Sequence, residues 1–325
     1  MSTVLYPSRL WQSYAKPPPS LFALIRNFLP GLFFFGLVFS RSLAEPTTRW
    51  TMLNVTPAEA QADCHLLEMP DGSRVLIDAA DAADAPGTAV AHLQRLGVSR
   101  LALVIISHFH RDHYGRLLDI IKSGITVDHV VLNVPDKSSA DREIPWGCDW
   151  NDVQSVLTEL RARKIPYSTP KAGDRIYEVK TPDGTAAGID VLCLYDGVNA
   201  PIGPTDVNDT SIILRVFLGS TRILFTGDLN HSLGAYLATS NVDLRADLLK
   251  VPHHGTEGVA PNEFFDRVGA KAVLVPSPKH LWESARSMRL RNYFIEHNIP
   301  VYVSGLRGNI TVTLTVRGYT IETER

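Results

Sequence analysis

Metal-ligating residue types are concentrated directly after the apolar run 101–106 of this 325-residue chain. Three histidines and one aspartate follow within six positions, His108, His110, Asp112 and His113. His108 and His110 are two residues apart, so on an extended segment their side chains point the same way. Asp112 and His113 follow where the chain turns and can reach a second location. Imidazole and carboxylate groups both bind divalent cations, so this spacing favours two ions and a hydrolytic reaction.

Two later segments place further ligand types where predicted strands end. Asp228 follows Thr226-Gly227 after an apolar run, and the two oxygens of its carboxylate can bridge two cations. His253 and His254 follow another apolar run. Taken alone, a Thr-Gly-Asp segment is usually a turn and a histidine pair is often exposed. Their combination at successive strand ends predicts that they converge with the first cluster on one edge of a sheet.

Strand and helix patterns alternate from Trp50 onward and supply the scaffold for these residues. Apolar or period-two runs predict strands, and 3.6-residue spacing predicts helices. The predicted strands that precede candidate ligands are 101–106, 221–227 and 246–252. A hairpin is predicted across Gly219-Ser220.

A surface loop is predicted for residues 136–150, where Trp146 and Trp150 either line a substrate cleft or pack the loop down. A last strand pair is predicted across Arg307-Gly308. Because no internal linker, repeat or low-complexity block interrupts the pattern, residues 49–325 are expected to form one α+β domain.

Composition sets limits on function. A hydrophobic fraction of 45% and a charged fraction of 20% are typical of a folded globular protein. The net charge of -2 gives no support for a general nucleic-acid binder, although a local basic strip would be compatible with it. Cys64, Cys148 and Cys193 are widely separated without CxxC spacing, so they predict neither a zinc ribbon nor a disulfide framework.

The amino terminus has the order of charges expected of a secretory signal peptide. Basic residues up to Arg26 precede the uncharged segment 27–40, which is followed by small residues ending at Ala44. Cleavage after Ala44 is the preferred interpretation of residues 1–44, and an uncleaved membrane anchor is the alternative. Both interpretations place the catalytic portion outside the cytoplasm, periplasmic or secreted, and contact with a membrane is expected only if the segment is uncleaved.

The run from His108 to His113 resembles the HxHxDH signature of the metallo-β-lactamase superfamily. The segments around it are similar, in the same order, to the branch related to the hydrolase domain of the competence protein ComEC. These segments are LLEMPDGSRVLIDA (66–79), AGD (172–174), NDTSIIL (208–214), ILFTGDL (223–229) and LLKVPHHGT (248–256). The resemblance covers about residues 49–325. It implies a four-layer αββα sandwich and a metal-dependent hydrolase.

The resemblance also implies a ligand set. His108 and His110 would hold one metal ion, and Asp112, His113 and His254 the other, with Asp228 bridging the two. The choice of His254 over His253 rests on placing the HHGT segment against the ending usual in the superfamily. His253 would then face the substrate or donate a proton, so that Asp112 and His253 are the candidate catalytic residues. Asp78, at the end of strand 74–79, is the expected partner that orients a ligand.

The chain departs from most superfamily hydrolases in the middle of the ligand set. They supply a further histidine to the first metal, whereas the corresponding region here offers Asp206, Asn208 and Asp209. The ComEC-like branch shares this feature, and the first metal would either be bound weakly or be completed by water or substrate. The expected cofactors are two divalent ions, zinc by preference, since mixed histidine and aspartate sets suit zinc, with manganese or iron as alternatives. His280 is a further candidate for substrate contact.

The expected reaction is hydrolysis by a metal-bound hydroxide. The ComEC-like segments favour a phosphodiester or related ester, and the near-neutral charge makes a small phosphodiester as tenable as a nucleic acid. A lactone or carboxylic ester is the first alternative substrate. A β-lactam is disfavoured by Asp228 as a bridging ligand and by the absent middle histidine. A non-catalytic metal-binding module is the remaining alternative.

Overall fold

A computed structural model describes residues 45–325, except for 56–59, 84–86, 145–146, 196–201, 204 and 257. Residues 44–325 form one compact unit. The predicted leader, residues 1–44, and Trp146 lie outside the described residues. Among the residues that are described, every helix is too short or too polar to cross a bilayer.

The chain forms seventeen strands within its described part. In chain order they are β1 (Thr48–Met52), β2 (His65–Glu68), β3 (Arg74–Ile77), β4 (Arg100–Leu101), β5 (Leu103–Ile106), β6 (Thr126–Val127), β7 (Val130–Leu132), β8 (Tyr167–Ser168), β9 (Arg175–Lys180), β10 (Ala186–Cys193), β11 (Ile213–Leu218), β12 (Thr221–Phe225), β13 (Leu248–Lys250), β14 (Ala272–Val275), β15 (Val301–Val303), β16 (Ile310–Thr315) and β17 (Gly318–Thr323).

Ten α-helices connect the strands in the same part of the chain. They are α1 (Thr88–Arg95), α2 (Arg111–Tyr114), α3 (Leu117–Lys122), α4 (Lys137–Asp141), α5 (Trp150–Ala162), α6 (His231–Thr239), α7 (Asn262–Val268), α8 (Lys279–Glu283), α9 (Met288–Glu296) and α10 (Ser304–Arg307). Three short 3-10 turns cover Val207–Thr210, Pro252–Gly255 and Ala285–Ser287.

Two large sheets hold most of the strands. The first has the spatial order β17-β16-β1-β2-β3-β5-β7-β8, and the second has the order β15-β14-β13-β12-β11-β10-β9. β4 and β6 form a separate two-stranded ribbon. The predicted hairpin is confirmed, because β11 and β12 pair antiparallel and Leu218 lies opposite Thr221 across Gly219-Ser220.

Alternation along the strands divides the apolar side chains into three cores. In β5, Leu103 and Ile105 belong to a core that also takes residues from the second sheet, such as Leu214 and Phe225. Val104 and Ile106 point to the other face and pack with the helical residues of a second core. A third core covers the outer face of the second sheet, with helices α6, α7 and α9. Helices therefore flank two facing sheets, which is the four-layer αββα sandwich.

The strands that precede candidate ligands run parallel to their neighbours at the centre of each sheet. β3, β5 and β7 are parallel in the first sheet, and β12, β13 and β14 are parallel in the second. Carboxyl ends of parallel strands open at the same sheet edge, so the segments that follow β3, β5, β12 and β13 meet there.

Three details of the predicted elements were wrong. The strand 101–106 is interrupted at Ala102, whose N–H bonds to the Arg74 carbonyl at 2.8 Å, so Leu101 pairs in the small ribbon. The predicted loop 136–150 contains helix α4, which Asp136 caps by accepting from the Ser138 N–H. The last hairpin turns between β16 and β17, with Thr315 opposite Gly318.

Candidate metal centre

Four side chains of the predicted ligand set converge at this sheet edge. Their ligand atoms, from Asp112, His113, Asp228 and His254, all lie within 4.8 Å of one another. Asp228 Oδ2 is 3.1 Å from Nε2 of both His113 and His254, and His254 Nε2 is 3.2 Å from Asp112 Oδ2. Asp228 is 1% exposed and both histidines are fully buried, so this is an interior cluster.

These candidate ligand atoms suit a metal ion because they are buried and lack hydrogen-bond partners. Among the described residues, the Nε2 atoms of His108, His113 and His254 and Oδ2 of Asp228 are buried without a hydrogen-bond partner. Burying such polar atoms unpaired costs free energy, so buried polar groups in proteins are normally satisfied. Divalent cations bound among them would supply the missing partners.

His108 and His110 lie next to this group but are not part of its four-residue core. The His108 ring centroid is 4.1 Å from that of His113 and 4.8 Å from that of His110. His108 Nδ1 lies 3.1 Å from Ser107 Oγ, so Nε2 is the candidate ligand atom. His110 has extended backbone angles, and helix α2 begins at the next residue. The backbone therefore changes direction between the two halves of the HxHxDH run, as the spacing predicts.

Asp78 orients His113 from behind. Its Oδ1 accepts from the Ser107 N–H at 2.7 Å and its Oδ2 from the Ser107 hydroxyl at 2.8 Å. His113 Nδ1 lies 2.9 Å from Asp78 Oδ2. Because the carboxylate accepts a hydrogen bond from Nδ1, the imidazole is oriented with Nε2 on the ligand side. The predicted role of Asp78 agrees with this geometry.

The residue before Asp228 must be a glycine. Gly227 has φ +49°, and a Cβ there would meet Ser211 Oγ at 2.4 Å and Ser107 Cβ at 3.2 Å. Ser211 Oγ also accepts from the Asp228 N–H at 3.0 Å. The chain therefore passes close to both neighbours as it leaves β12, and this directs the Asp228 carboxylate to the centre.

His253 and His254 form an unusual left-handed turn after β13. Both have φ 49°, a region that residues with a side chain rarely adopt. Gly255 continues it with φ +75°, and a Cβ there would lie 2.8 Å from the Trp282 ring. His254 Nδ1 donates to the Pro276 carbonyl at 3.0 Å, which directs Nε2 to Asp228. Backbone strain of this kind is typical of functional sites.

A cavity of about 990 Å³ opens over the centre. His110, Asp112, Asp228 and His253 line it together with groups from several loops, namely Arg111, Asp152, Asp206, Asn208, Leu281 and Arg286. His280 is exposed on α8, and the cavity is lined instead by its neighbour Leu281. Trp150 packs against the helical core beside the first sheet.

Comparison with known proteins agrees with this geometry. Residues 58–275, about two thirds of the chain, match the family model described as the metallo-beta-lactamase superfamily. The chain belongs to the metallo-β-lactamase superfamily. Together with the buried ligand cluster, this membership makes it a metal-dependent hydrolase, and the predicted fold is confirmed.

A sequence relative narrows the placement within the metallo-β-lactamase superfamily. The chain is 24% identical over 216 residues to ComE operon protein 3 of Bacillus subtilis, which confirms the resemblance to the ComEC-like branch. The match covers 66% of this chain but only 25% of that relative. Among solved structures, a CmlA beta-hydroxylase variant shares 14% identity with a TM-score of 0.50, over 84% of this chain and 54% of that one. YhfI from Bacillus subtilis shares 14% identity with a TM-score of 0.47, over 79% of this chain and 96% of that one.

A buried ion pair beneath the superfamily ligand set was not predicted. Lys250, in β13, and Asp63, before β2, are each 1% exposed and form an ion pair. The ammonium group also donates to the Gly227 carbonyl at 2.9 Å and to Asp228 Oδ1 at 3.4 Å. Asp63 Oδ1 lies 3.2 Å from His254 Nδ1. A lysine inside the apolar run LLKVP was the available sequence signal, because a charged residue on a buried strand requires a partner.

Glu143 was also not predicted. It lies after α4, is 3% exposed, and its Oε2 is 2.5 Å from His110 Nε2. Its Oε1 accepts from the Val207 N–H at 2.7 Å. The carboxylate therefore accepts a hydrogen bond from His110 Nε2, so Nδ1 would be the atom that binds a metal ion. No sequence pattern marked it, since the contact depends on how a long connection folds back.

His253 is held by a chain of polar groups. Asn230 Nδ2 donates to Asp206 Oδ2 at 2.7 Å, and Asn230 Oδ1 lies 2.9 Å from His253 Nδ1. Because the amide oxygen can only accept, Nδ1 carries the proton of the imidazole. Burial lowers the pKa of His253, which favours this neutral form at pH 7.

Burial and the close packing of charged groups shift the pKa values of the clustered histidines and of Asp228. Burial alone would lower the pKa of His113 and His254, but the carboxylate of Asp228 and its acidic neighbours raise both well above the usual value. Burial, followed by the neighbouring histidines, lowers the pKa of His108. Burial opposes ionisation of Asp228, yet His113, His254 and Lys250 hold its pKa well below the usual range. The carboxylate is thus in the form that binds metal.

Proposed function

We propose that the protein is a binuclear metal-dependent phosphodiesterase acting on a small phosphodiester. The supporting observation is that two arginines lie among the residues lining the cavity that opens over the ligand cluster. Arg111 and Arg286 both line it, so two positively charged residues border the space through which a substrate approaches the candidate metal ligands. Guanidinium groups recognise phosphate oxygens through paired hydrogen bonds. An anionic diester would use both features, whereas a neutral lactone or carboxylic ester would use only the metal site.

The ligand set supports two divalent ions, with zinc as the preferred metal. His108 and His110 are assigned to one ion, Asp112, His113 and His254 to the other, and Asp228 to both. When bound, such ions supply Lewis-acid chemistry and activate water at neutral pH. Zinc is preferred because mixed imidazole and carboxylate sets suit it, with manganese or iron as alternatives.

Two residues of the chain are proposed to handle protons. Burial raises the pKa of Asp112, but His113 and His254 outweigh this and lower it, so the group is a carboxylate that can orient a water molecule. His253 carries its proton at Nδ1, and it lines the cavity as a neutral acceptor. A proton taken from water by His253 could pass to the leaving alcohol.

The cavity favours a short substrate over a long polyanion. Five carboxylates line it, contributed by Asp81, Asp112, Asp152, Asp206 and Asp228. Arg111 already lies 3.5 Å from Asp152, which reduces its positive field. A nucleic acid would meet this acidic lining along its backbone, whereas a small diester could contact only the metal ligands and the guanidinium groups. Nucleic acid is therefore the less favoured substrate.

We further propose that the catalytic portion acts outside the cytoplasm, from the charged, apolar and small-residue order of residues 1–44. Fractionation of cells that produce the full chain, with sequencing of the mature amino terminus, tests this. A mature protein beginning after Ala44 supports cleavage and export. A chain that starts at Met1 in the membrane fraction supports the anchor, and one in the cytoplasm contradicts the proposal.

A substrate panel tests the reaction. The purified full chain, loaded with zinc or manganese, is assayed with bis(4-nitrophenyl) phosphate, double-stranded DNA, a lactone and a cephalosporin. We expect turnover of the phosphodiester and its loss in His113→Ala. Turnover of the lactone or cephalosporin with an inert phosphodiester would contradict the proposal. A protein that binds metal but turns over none of them would favour a non-catalytic module.

A further inference from the structure

Asp206 and Asn208 present unsatisfied oxygen atoms on one wall of the cavity. Asn208 is 4% exposed, and within the described part of the chain its Oδ1 and Asp206 Oδ1 have no hydrogen-bond partner although both are buried. Both residues line the cavity over the ligand cluster. Leaving buried acceptors unpaired costs free energy, so this wall is suited to a ligand that supplies donors.

The two oxygens are held in place by a contact of Asp206 and by the backbone turn that carries Asn208. Asp206 Oδ2 accepts from Asn230 Nδ2 at 2.7 Å. Between them, the Val207 N–H donates to Glu143 Oε1 at 2.7 Å, which fixes the backbone of the turn. Because Asn230 occupies the other oxygen of Asp206, the free oxygen cannot turn away without breaking this bond. Asn208 is buried within the fixed turn that follows.

The chemistry of this wall selects its ligand. A carboxylate oxygen and an amide oxygen accept hydrogen bonds and repel a second anion. Burial, with the adjacent Glu143 carboxylate, raises the pKa of Asp206, as expected for a carboxyl group short of donors. A hydroxyl or ammonium group would satisfy both oxygens, whereas an alkyl group would leave them buried and unpaired.

We propose that Asp206 and Asn208 form a subsite for an alcohol arm of the substrate that carries hydrogen-bond donors, either hydroxyl or ammonium groups, next to the scissile phosphodiester. This inference rests on the proposed phosphodiesterase function, and it deepens that function by naming the substrate class. The phosphate would lie at the metal ligands, and the arm would extend along the wall that also holds His253. A site built to pair with donors discriminates strongly against an analogue that lacks them.

Three 4-nitrophenyl phosphodiesters test the subsite on the metal-loaded full chain. They differ only in the second arm, which is glyceryl, 2-aminoethyl or propyl. We expect kcat/KM for the glyceryl or aminoethyl ester to exceed that for the propyl ester by roughly tenfold or more. The preferred arm identifies the donor as hydroxyl or ammonium.

Variants assign the preference to the wall. Asn208→Leu removes the acceptor at nearly constant volume, so the ratio of kcat/KM between the donor-bearing esters and the propyl ester should fall toward one. Asn208→Asp keeps an acceptor and should retain the wild-type ratio. Asp206→Asn should reduce the preference for the aminoethyl arm most, because it removes the charge. Metal content, measured on each variant by elemental analysis, should match that of the wild type.

Equal kcat/KM for all three arms would overturn the subsite while leaving the phosphodiesterase proposal intact. Loss of one metal ion in Asn208→Leu would also overturn it, because the oxygens would then be metal ligands. If the wild type cleaves no phosphodiester, the function has failed, and the subsite is judged by calorimetry with glycerol 3-phosphate, ethanolamine phosphate and propyl phosphate. Equal affinity for these three ligands would then reject it.

Discussion

Lys250 contacts one oxygen of the Asp228 carboxylate, and the other oxygen faces the histidines of the candidate metal centre. The Lys250 ammonium lies 3.4 Å from Asp228 Oδ1, while Asp228 Oδ2 faces His113 and His254 at 3.1 Å each. One oxygen is thus fixed by an internal cation, and the other is directed to the metal side. The same ammonium pairs with Asp63, so a single lysine compensates two buried carboxylates.

Lys250→Met should destabilise the metal-free protein by about 3 kcal/mol or more, because it leaves Asp63 and Asp228 buried without their cation. Urea denaturation of the full chain, with and without metal, measures the effect. Metal should recover part of the loss, since the ions also neutralise Asp228. The matched control is Lys271→Met, which breaks an exposed pair with Asp247 at 2.8 Å and should have a much smaller effect. Equal effects of the two substitutions would contradict the assigned role of Lys250.

Glu143→Gln should lower the affinity of the first metal ion by about tenfold or more, as for other residues that orient a ligand. The glutamine amide would face His110 Nε2 as a donor, moving the imidazole proton to Nδ1 and removing the lone pair from the metal side. Competition with a chromophoric chelator measures both affinities. Glu159→Gln, on helix α5, is the control. An unchanged affinity for the first metal ion would show that Glu143 does not set the tautomer of His110.

Asp209→Asn should stabilise the protein more at high pH than at low pH. Burial raises the pKa of Asp209 to about 7, although the Asn230 N–H donates to the carboxyl group. The unfolded chain releases this proton near the ordinary value of 3.8, so wild-type stability falls as pH rises between that value and about 7. Asparagine does not titrate, so the variant should gain roughly 2 kcal/mol between pH 5 and 7.

Denaturation of both proteins at several pH values checks this, with Asp141→Asn as the exposed control. The gain should level off above about pH 7. A stability difference that does not change with pH would mean that Asp209 ionises normally in the folded protein.

Much of the fold was predictable because each strand carries a local signal. The apolar run of β5, the hairpin of β11 and β12, and the ligand types after β5, β12 and β13 can all be read from short segments. The last hairpin was misplaced because Gly308 looked like its turn, whereas Gly308 follows α10 and accommodates φ 72°.

The support of the site was less predictable because it depends on distant contacts. Asp63 and Lys250 are 187 positions apart (63 and 250) yet form a buried ion pair. Glu143 reaches His110 from a connection that carries no motif. Such pairs are determined by how the two sheets face each other, which no local periodicity encodes. Lys250 alone left a signal, as a charge within an apolar strand.

Anomalous X-ray scattering from crystals of the metal-loaded full chain tests the central claim most directly, because it locates each ion without assuming a reaction. We expect two peaks, one among Asp112, His113, Asp228 and His254 and one at His108 and His110, with Asp228 in contact with both. Peaks located elsewhere, or none at all in protein supplied with excess zinc and manganese, would contradict the binuclear centre and the hydrolytic function that rests on it.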